Sequence, residues 1–368
     1  MSSVSSQPLP QVGPITFVDD KPPDLEYMSS LLAESRRQNQ WTNFGPVSLL
    51  LEEAVRDRLD LGDDNAVVAT SSGTSALHSL VALHSFLVGR PQRWVVSAFG
   101  FWCTRQGVLG DSLVVDCDSE GMLDLHSLDS LDPSEYDGVV VTNVFGLLSD
   151  ISPYVSHCRA LSKALICDAG AAFDAGHRRN DAASLFEAIS FHHTKPWGMG
   201  EGGCLVLPAE HEHVARSLIN FGTRHGAPTG RLSTNAKMSD LAAAAILGRL
   251  RDFDTIRRAC LVEYQRVIDI ATSIGFRPLR GDGRVLPGQG TPPCVPLVAP
   301  VPIPSSTLSN PHVVFRKYYA PVEPGHRTAD WLYDRILNIP SHPGMARLRS
   351  DLLAEVLRAV LAASGFRR

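Results

Sequence analysis

The stretch AVVATSSGTSALH, Ala66 to His78, decides the fold. A β-rich run, Ala66 to Thr70, meets a Ser/Gly/Thr turn, and from Thr74 to Val88 apolar residues recur at helical spacing. Working outward, Val47 to Leu61 also has helical spacing, behind a proline (Pro46) that suits a first helical turn. Downstream, Trp94–Ala98 and Leu113–Val115 read as short strands. GVVVTNV, Gly138 to Val144, is a continuous apolar run of the kind a strand shows when both faces are covered. Ile151–Ser162 reads as a helix, followed by strands at Ala164–Cys167, Ala188–Phe191 and Cys204–Leu207. Strands alternating with helices predict an α/β fold with a mostly parallel central sheet flanked by helices.

The texture changes near residue 250. Arg251–Ser273 reads as one long helix, residues 275–312 are rich in Pro and Gly, Val313–Tyr319 reads as a strand, and Met345–Ala363 as a closing helix. The expected division is a tail over 1–20 (loose through residue 14), a large domain over 21–250 and a smaller C-terminal α+β domain over 251–368. With 368 residues, the chain is long enough to bury a large core. At 44% hydrophobic and 20% charged it is neither disordered nor a coiled coil. A net charge of −5 argues against a nucleic-acid partner, which needs a basic face. The seven cysteines form no CxxC pair, so neither a disulfide framework nor a metal site is expected. No run is long and apolar enough for a membrane span, and no signal peptide is seen. The expected location is cytoplasmic.

Four motifs bear on chemistry. The SSGTS turn opening a helix suits a phosphate, because free N–H groups and hydroxyls gather there; an ordinary Ser/Thr cap gives the same pattern. GMGEGG, Gly198 to Gly203, matches GxGxxG in form, but a strand follows it where a dinucleotide site needs a helix, so that reading is rejected. Asp168 ends an apolar strand, at the edge where open α/β sheets bind ligands; a loop or cap aspartate is the alternative. Lys195, in SFHHTKPWGMGEGG (190–203), sits among aromatic, hydroxyl and glycine residues, where a lysine of lowered pKa can act as a Schiff-base amine rather than a solvated charge. His192 and His193, adjacent in a strand, would point to opposite faces and share no metal. Together a phosphate cradle, a strand-end aspartate and a lysine are the set that pyridoxal 5′-phosphate (PLP) requires.

On these residues the chain resembles the DegT/StrS family of nucleotide-sugar aminotransferases, of the PLP-dependent transferase fold type I. The resemblance runs from Trp41 to Met345 through WTNFGP (41–46), SSGTSALH (71–78), FGF (99–101), NVFG (143–146), CDAGAA (167–172), SFHHTK with GEGG (190–203), NAKMSDLAAA (235–244), and RKYYAP followed by ILNIPSHPGM (316–345). It implies that Lys195 is the Schiff-base lysine and proton-moving base, and that Asp168 pairs with the pyridine nitrogen. It also implies that Gly73, Thr74 and Ser190 contact the phosphate, and that Phe101 stacks on the ring. Asn235 is similar to an asparagine that reaches the phosphate from the neighbouring subunit, which implies a homodimer with shared sites.

Lysine at 195, where some relatives carry histidine, favours transamination over dehydration. Two positions depart from the family pattern. Ala171 stands where the family has Gln or His bonding the cofactor's phenolic oxygen, and Asn143 stands where it has His; Asn143 is the expected replacement for the lost bond, with water as the alternative. The implied reaction moves an amino group from an amino acid, glutamate by expectation, to a nucleotide-linked keto-6-deoxyhexose at C4. The alternatives are C3 amination, a sugar dehydratase, and a non-catalytic PLP-fold protein. Arg316 and Lys317 are candidates for the nucleotide diphosphate, and Trp41, Thr42 and Asn43 for the substrate mouth.

Overall fold

The computed structural model describes residues 13–147, 150–174, 186–223, 231–285 and 290–366. Of the expected tail over residues 1–20, residues 1–12 lie outside them, and residues 13–20 are described, with Ile15 buried and bridged to Val313. The first part of the chain forms α1 (Leu25–Gln38), α2 (Pro46–Arg58), β1 (Asn65–Thr70), α3 (Gly73–Val88), β2 (Trp94–Ser97), β3 (Leu113–Val115), α4 (Leu125–Asp129), β4 (Gly138–Thr142), α5 (Ser152–Ala160) and β5 (Ala164–Asp168). Then come β6 (Glu187–Ser190), β7 (Gly203–Pro208), α6 (Glu212–Leu218) and α7 (Asp240–Arg251). The remainder forms α8 (Phe253–Ser273), β8 (Arg277–Pro278), β9 (Cys294–Val298), α9 (Arg327–Arg335), β10 (Ile336–Pro340) and α10 (Ser350–Ala363).

A seven-stranded sheet has the order β1-β7-β6-β5-β4-β2-β3. Only β7 runs against the others, pairing antiparallel with both β1 and β6. The apolar runs are continuous because both faces of this sheet are covered. On β1, Val67 and Ala69 join the core with Val47, Leu51 and Val55 of α2. Ala66 and Val68 face the opposite core, with Leu77 and Leu80 of α3. A three-stranded antiparallel sheet, β10-β9-β8, packs under α8, which α10 backs. The fold is therefore α/β with a mostly parallel, helix-flanked central sheet, as the alternation predicts.

Four stretches differ from the sequence reading. The 138–144 run stops as a strand at Thr142, because Phe145 turns into the left-handed region (φ 54°) and starts a tight 3₁₀ turn over Val144–Gly146. Val313–Tyr319 is extended but makes only isolated bridges, Ile15 to Val313 and Arg316 to Asn338, and ends where Tyr319 also turns left-handed (φ 62°). The closing helix starts at Ser350, because Pro343–Arg347 folds as a separate 3₁₀ turn. The long helix expected from Arg251 starts at Phe253, beyond α7 and a break at Asp252.

Candidate active site

The parallel strands end on one edge of the large sheet, and the site residues follow from those ends. Asp168 closes β5, Ser190 closes β6, Asn143 follows β4 and Phe101 lies beyond β2. The register sets Ser190 opposite Gly203 on β7, and Gly203 opposite Thr70 at the end of β1. The turn after Thr70 therefore meets the end of β6. Ser72 caps α3, its hydroxyl accepting the Ser75 N–H at 3.1 Å. An added Cβ on Gly73 would lie 2.6 Å from the Cβ of Ser190, so only glycine lets the start of α3 settle against that strand end.

A cavity of about 470 Å³ opens here. Gly73, Thr74, Phe101, Asp168, Ser190 and Lys195 all line it. Asp168 accepts the Gly170 N–H at 3.0 Å. Burial pushes its carboxyl above the usual carboxylate range, against the opposing pull of that N–H, of Lys195 and of the Thr142 hydroxyl. Burial pulls the Lys195 ammonium below the ordinary lysine range, with Asp168 opposing. The lowered pKa raises the fraction of neutral, nucleophilic amine. The pair thus favours a ligand that brings a cationic ring nitrogen to Asp168 and a carbonyl to Lys195.

The other candidates stand apart from this cavity. Asn143 is buried and donates its backbone N–H to the Asp168 carbonyl at 2.9 Å, but its side chain is not part of the cavity wall. Asn235 is exposed, and its side-chain oxygen accepts from Lys237 Nζ at 2.6 Å. Asn43 is left-handed (φ 55°) in a loop that Asp240 pins: Asp240 accepts the Ser48 N–H at 2.9 Å and donates its own N–H to the Trp41 carbonyl. Arg316 exchanges backbone hydrogen bonds with Asn338, at 3.1 and 2.8 Å. Lys317 Nζ donates to the carbonyls of Ile303 and Asp334, both at 2.9 Å, and burial pulls it down to about 8.

The cavity also holds groups that were given no role from sequence. Tyr318, Tyr319 and Phe145 form an aromatic wall, with the Tyr319 and Phe145 rings 4.4 Å apart. Both of these residues have positive φ, a strained state that clusters at functional sites. Only the YY pair in RKYYAP and the NVFG motif hinted at them. His192 also lines the cavity, its Nδ1 2.8 Å from the Thr194 hydroxyl; β6 has ended at Ser190, so His192 and His193 lie in a turn and the strand argument does not apply to them. Among the described residues no three His, Cys, Asp or Glu side chains gather to hold a metal, and no helix is long and apolar enough to cross a membrane.

The chain can now be set beside known proteins. Protein Rv3402c of Mycobacterium tuberculosis strain H37Rv is 30% identical over 255 residues, which is 65% of this chain and 61% of that protein, so the match spans less than two thirds of the relative. Among solved structures, DesI, determined in the presence of its TDP-sugar product, superposes with a TM-score of 0.79 at 22% identity, covering 96% of this chain and 94% of that one. Helicobacter pylori PseC, an aminotransferase involved in the biosynthesis of pseudoaminic acid, gives 0.74 at 17% identity over 96% and 98%. At such identities the superpositions establish the shared fold. Residues 26–270 match the model of one sequence family, and with the fold and the strand-end site in agreement, the chain belongs to the DegT/DnrJ/EryC1/StrS aminotransferase family.

Proposed function

We propose that this chain is a PLP-dependent aminotransferase that moves an amino group from glutamate to C4 of a nucleotide-linked keto-6-deoxyhexose. The observation that carries the reading is the convergence of Lys195, Asp168 and the first residues of α3 on one cavity. These residues fit the cofactor: Gly73, Thr74 and Ser190 line the cavity at a helix N-terminus that suits a phosphate, and the buried Asp168 carboxyl suits a cationic partner. When bound, PLP supplies an electron sink that stabilises charge at the carbon losing its proton.

Each protein group then has a task. Thr74 and Ser190 bind the phosphate beside the positive end of α3. Asp168 holds the proton on the pyridine nitrogen. Phe101, 48% exposed at the cavity wall, covers the ring face. Lys195 anchors the cofactor and then moves the proton at the reacting carbon. Asn143 is the proposed partner of the phenolic oxygen in place of Ala171, which lines the cavity without a polar side chain; that role requires the buried Asn143 amide to reach in from behind the cavity wall. Arg316, which is hydrogen-bonded to the cavity tyrosine Tyr318, faces the diphosphate. In this reading residues 21–250 form the cofactor domain, and 251–368 form a smaller domain that adds Cys294, Tyr318 and Tyr319 to the cavity wall.

The functional unit in this reading is a homodimer. Asn235 is exposed and outside its own protomer's cavity, beside Phe221, which is 60% exposed. In this reading a neighbouring copy brings it to a cofactor. The nucleotide-sugar substrate is supported by the TDP-sugar product of DesI, which shares the fold. The test is incubation of the PLP-loaded enzyme with glutamate and a panel of nucleotide-linked 4-keto and 3-keto sugars. The expected result is 2-oxoglutarate and a 4-amino sugar in equal amounts; amination of only the 3-keto compounds, or no keto-acid with any sugar, overturns the reading.

A further inference from the structure

Among the described residues Lys21 is the one lysine buried to 7% exposure, and the mechanism above gives it no task. Its Nζ donates to three backbone carbonyls of one turn: His193 at 2.7 Å, Lys195 at 2.5 Å and Gly198 at 3.1 Å. Arg249 adds a fourth, its Nε donating to the Pro196 carbonyl at 3.0 Å. Asp19, two residues before Lys21, binds the same guanidinium at 2.9 Å and offsets the two positive charges. The turn is folded back on itself so closely that a Cβ on Gly198 would lie 1.9 Å from the His192 carbonyl oxygen. Its carbonyls converge because the chain reverses there, and buried carbonyls need donors. An ammonium has three.

The segment that brings Lys21 is itself anchored at a distance. Ile15 donates to the His312 carbonyl and accepts from the Val314 N–H, both at 2.8 Å. His342 Nε2 lies 2.9 Å from the Thr16 carbonyl oxygen, and the Phe17 ring meets Tyr318 edge-on at 5.3 Å. Phe17 and Tyr318 both line the active-site cavity. Residues 15–21 therefore run as a strap from the C-terminal third of the chain, along the cavity wall, to the turn that carries Lys195.

We propose that Lys21 and Arg249 form a two-cation clamp on the carbonyls of residues 193–198, and that Lys21 is a positioning residue which fixes where Lys195 presents its amine. The inference rests on the reading of Lys195 as the cofactor-anchoring lysine. Burial and the Arg249 charge pull the Lys21 ammonium down to about 7, with Asp19 opposing; the cost of placing a charge here indicates that the carbonyls use its donors.

The test is Lys21→Met, which keeps the stem and removes the donors, beside Lys21→Arg, which keeps charge and donors. In the cofactor-free enzyme, hydrogen exchange of the 191–200 amides rises about tenfold in Lys21→Met, while exchange in α8 and β9 is unchanged. In the loaded enzyme, the pH midpoint of the visible band of lysine-held cofactor shifts by about half a unit or more. There kcat falls by about 10- to 100-fold with KM within about threefold, as a misplacement of up to about 1 Å produces. Lys21→Arg recovers most of each effect. Should Lys21→Met fail to fold, Arg249→Met decides by the same readings. A wild-type enzyme without that band overturns the reading of Lys195; a wild type with the band and a variant matching it in exchange, midpoint and kcat overturns the clamp alone.

Discussion

The Cα of Gly73 and the side chain of Ser190 are so close that an added Cβ would contact the Ser190 Cβ at 2.6 Å and its Oγ at 3.0 Å. The cofactor cradle is therefore a packing contact between a helix start and a strand end. In Gly73→Ala that contact must open, at a cost of about 1–3 kcal/mol. The expected result is a PLP affinity about 5- to 150-fold weaker, by about the same energy, in a spectrophotometric titration. Unchanged affinity would mean that the phosphate is held elsewhere.

Asp168 is a carboxyl that burial disfavours in its charged form. Its carboxyl pKa is raised in the fold by burial, so the folded chain favours the protonated form, and the stability penalty grows as pH rises above the unfolded value toward neutrality. Asp168→Asn removes that penalty. The cofactor-free variant is expected to melt at or above the wild-type temperature at pH 7, while kcat with glutamate falls by about 100-fold or more, as loss of an aimed charge does. A melting temperature several degrees lower would show that the carboxylate is structural.

His84 supplies a pH response away from the site. Its ring lies edge-on to Trp94 at 5.6 Å and 4.4 Å from Phe186, and burial pulls its pKa down to about 4. The folded state keeps the ring neutral, so stability present above about 6.5 is lost as pH falls toward 4, by at most about 3 kcal/mol. His84→Phe is expected to flatten the melting-temperature profile between those values. A profile parallel to that of the wild type would contradict the assignment.

If Asn235 serves the neighbouring cofactor, two damaged chains can repair each other. Lys195→Ala and Asn235→Ala homodimers are each expected to be impaired. Mixed and re-equilibrated, they form hybrids with one intact site, and random pairing predicts recovery of about a quarter of wild-type activity. No recovery on confirmed mixing would place Asn235 outside the site.

Much of this was legible in the sequence. Leu113–Val115 is read with its exact bounds, and β1, β5 and β7 to within a residue at either end, because strands covered on both faces have no polar interruption. Helix α7 was passed over although Ser239 caps it, since its alanine-rich run lacks a polar stripe. Gly73, Thr74, Phe101, Asp168, Ser190 and Lys195 reach one cavity because residues that follow parallel strands share one edge of the sheet, while the strand order that makes them neighbours was not legible from alternation. Lys317 reads as a candidate for the nucleotide diphosphate, yet its partners are carbonyls 14 and 17 residues away. Lys21 is the same case at longer range, 172 to 177 residues. Carbonyl acceptors belong to every residue type, so a cation that binds them leaves no pattern along the chain.

The most direct test is Lys195→Ala. The account predicts a folded chain of wild-type melting temperature that binds PLP without the visible band of lysine-held cofactor and forms no 2-oxoglutarate from glutamate above background. Wild-type turnover in that variant would contradict it.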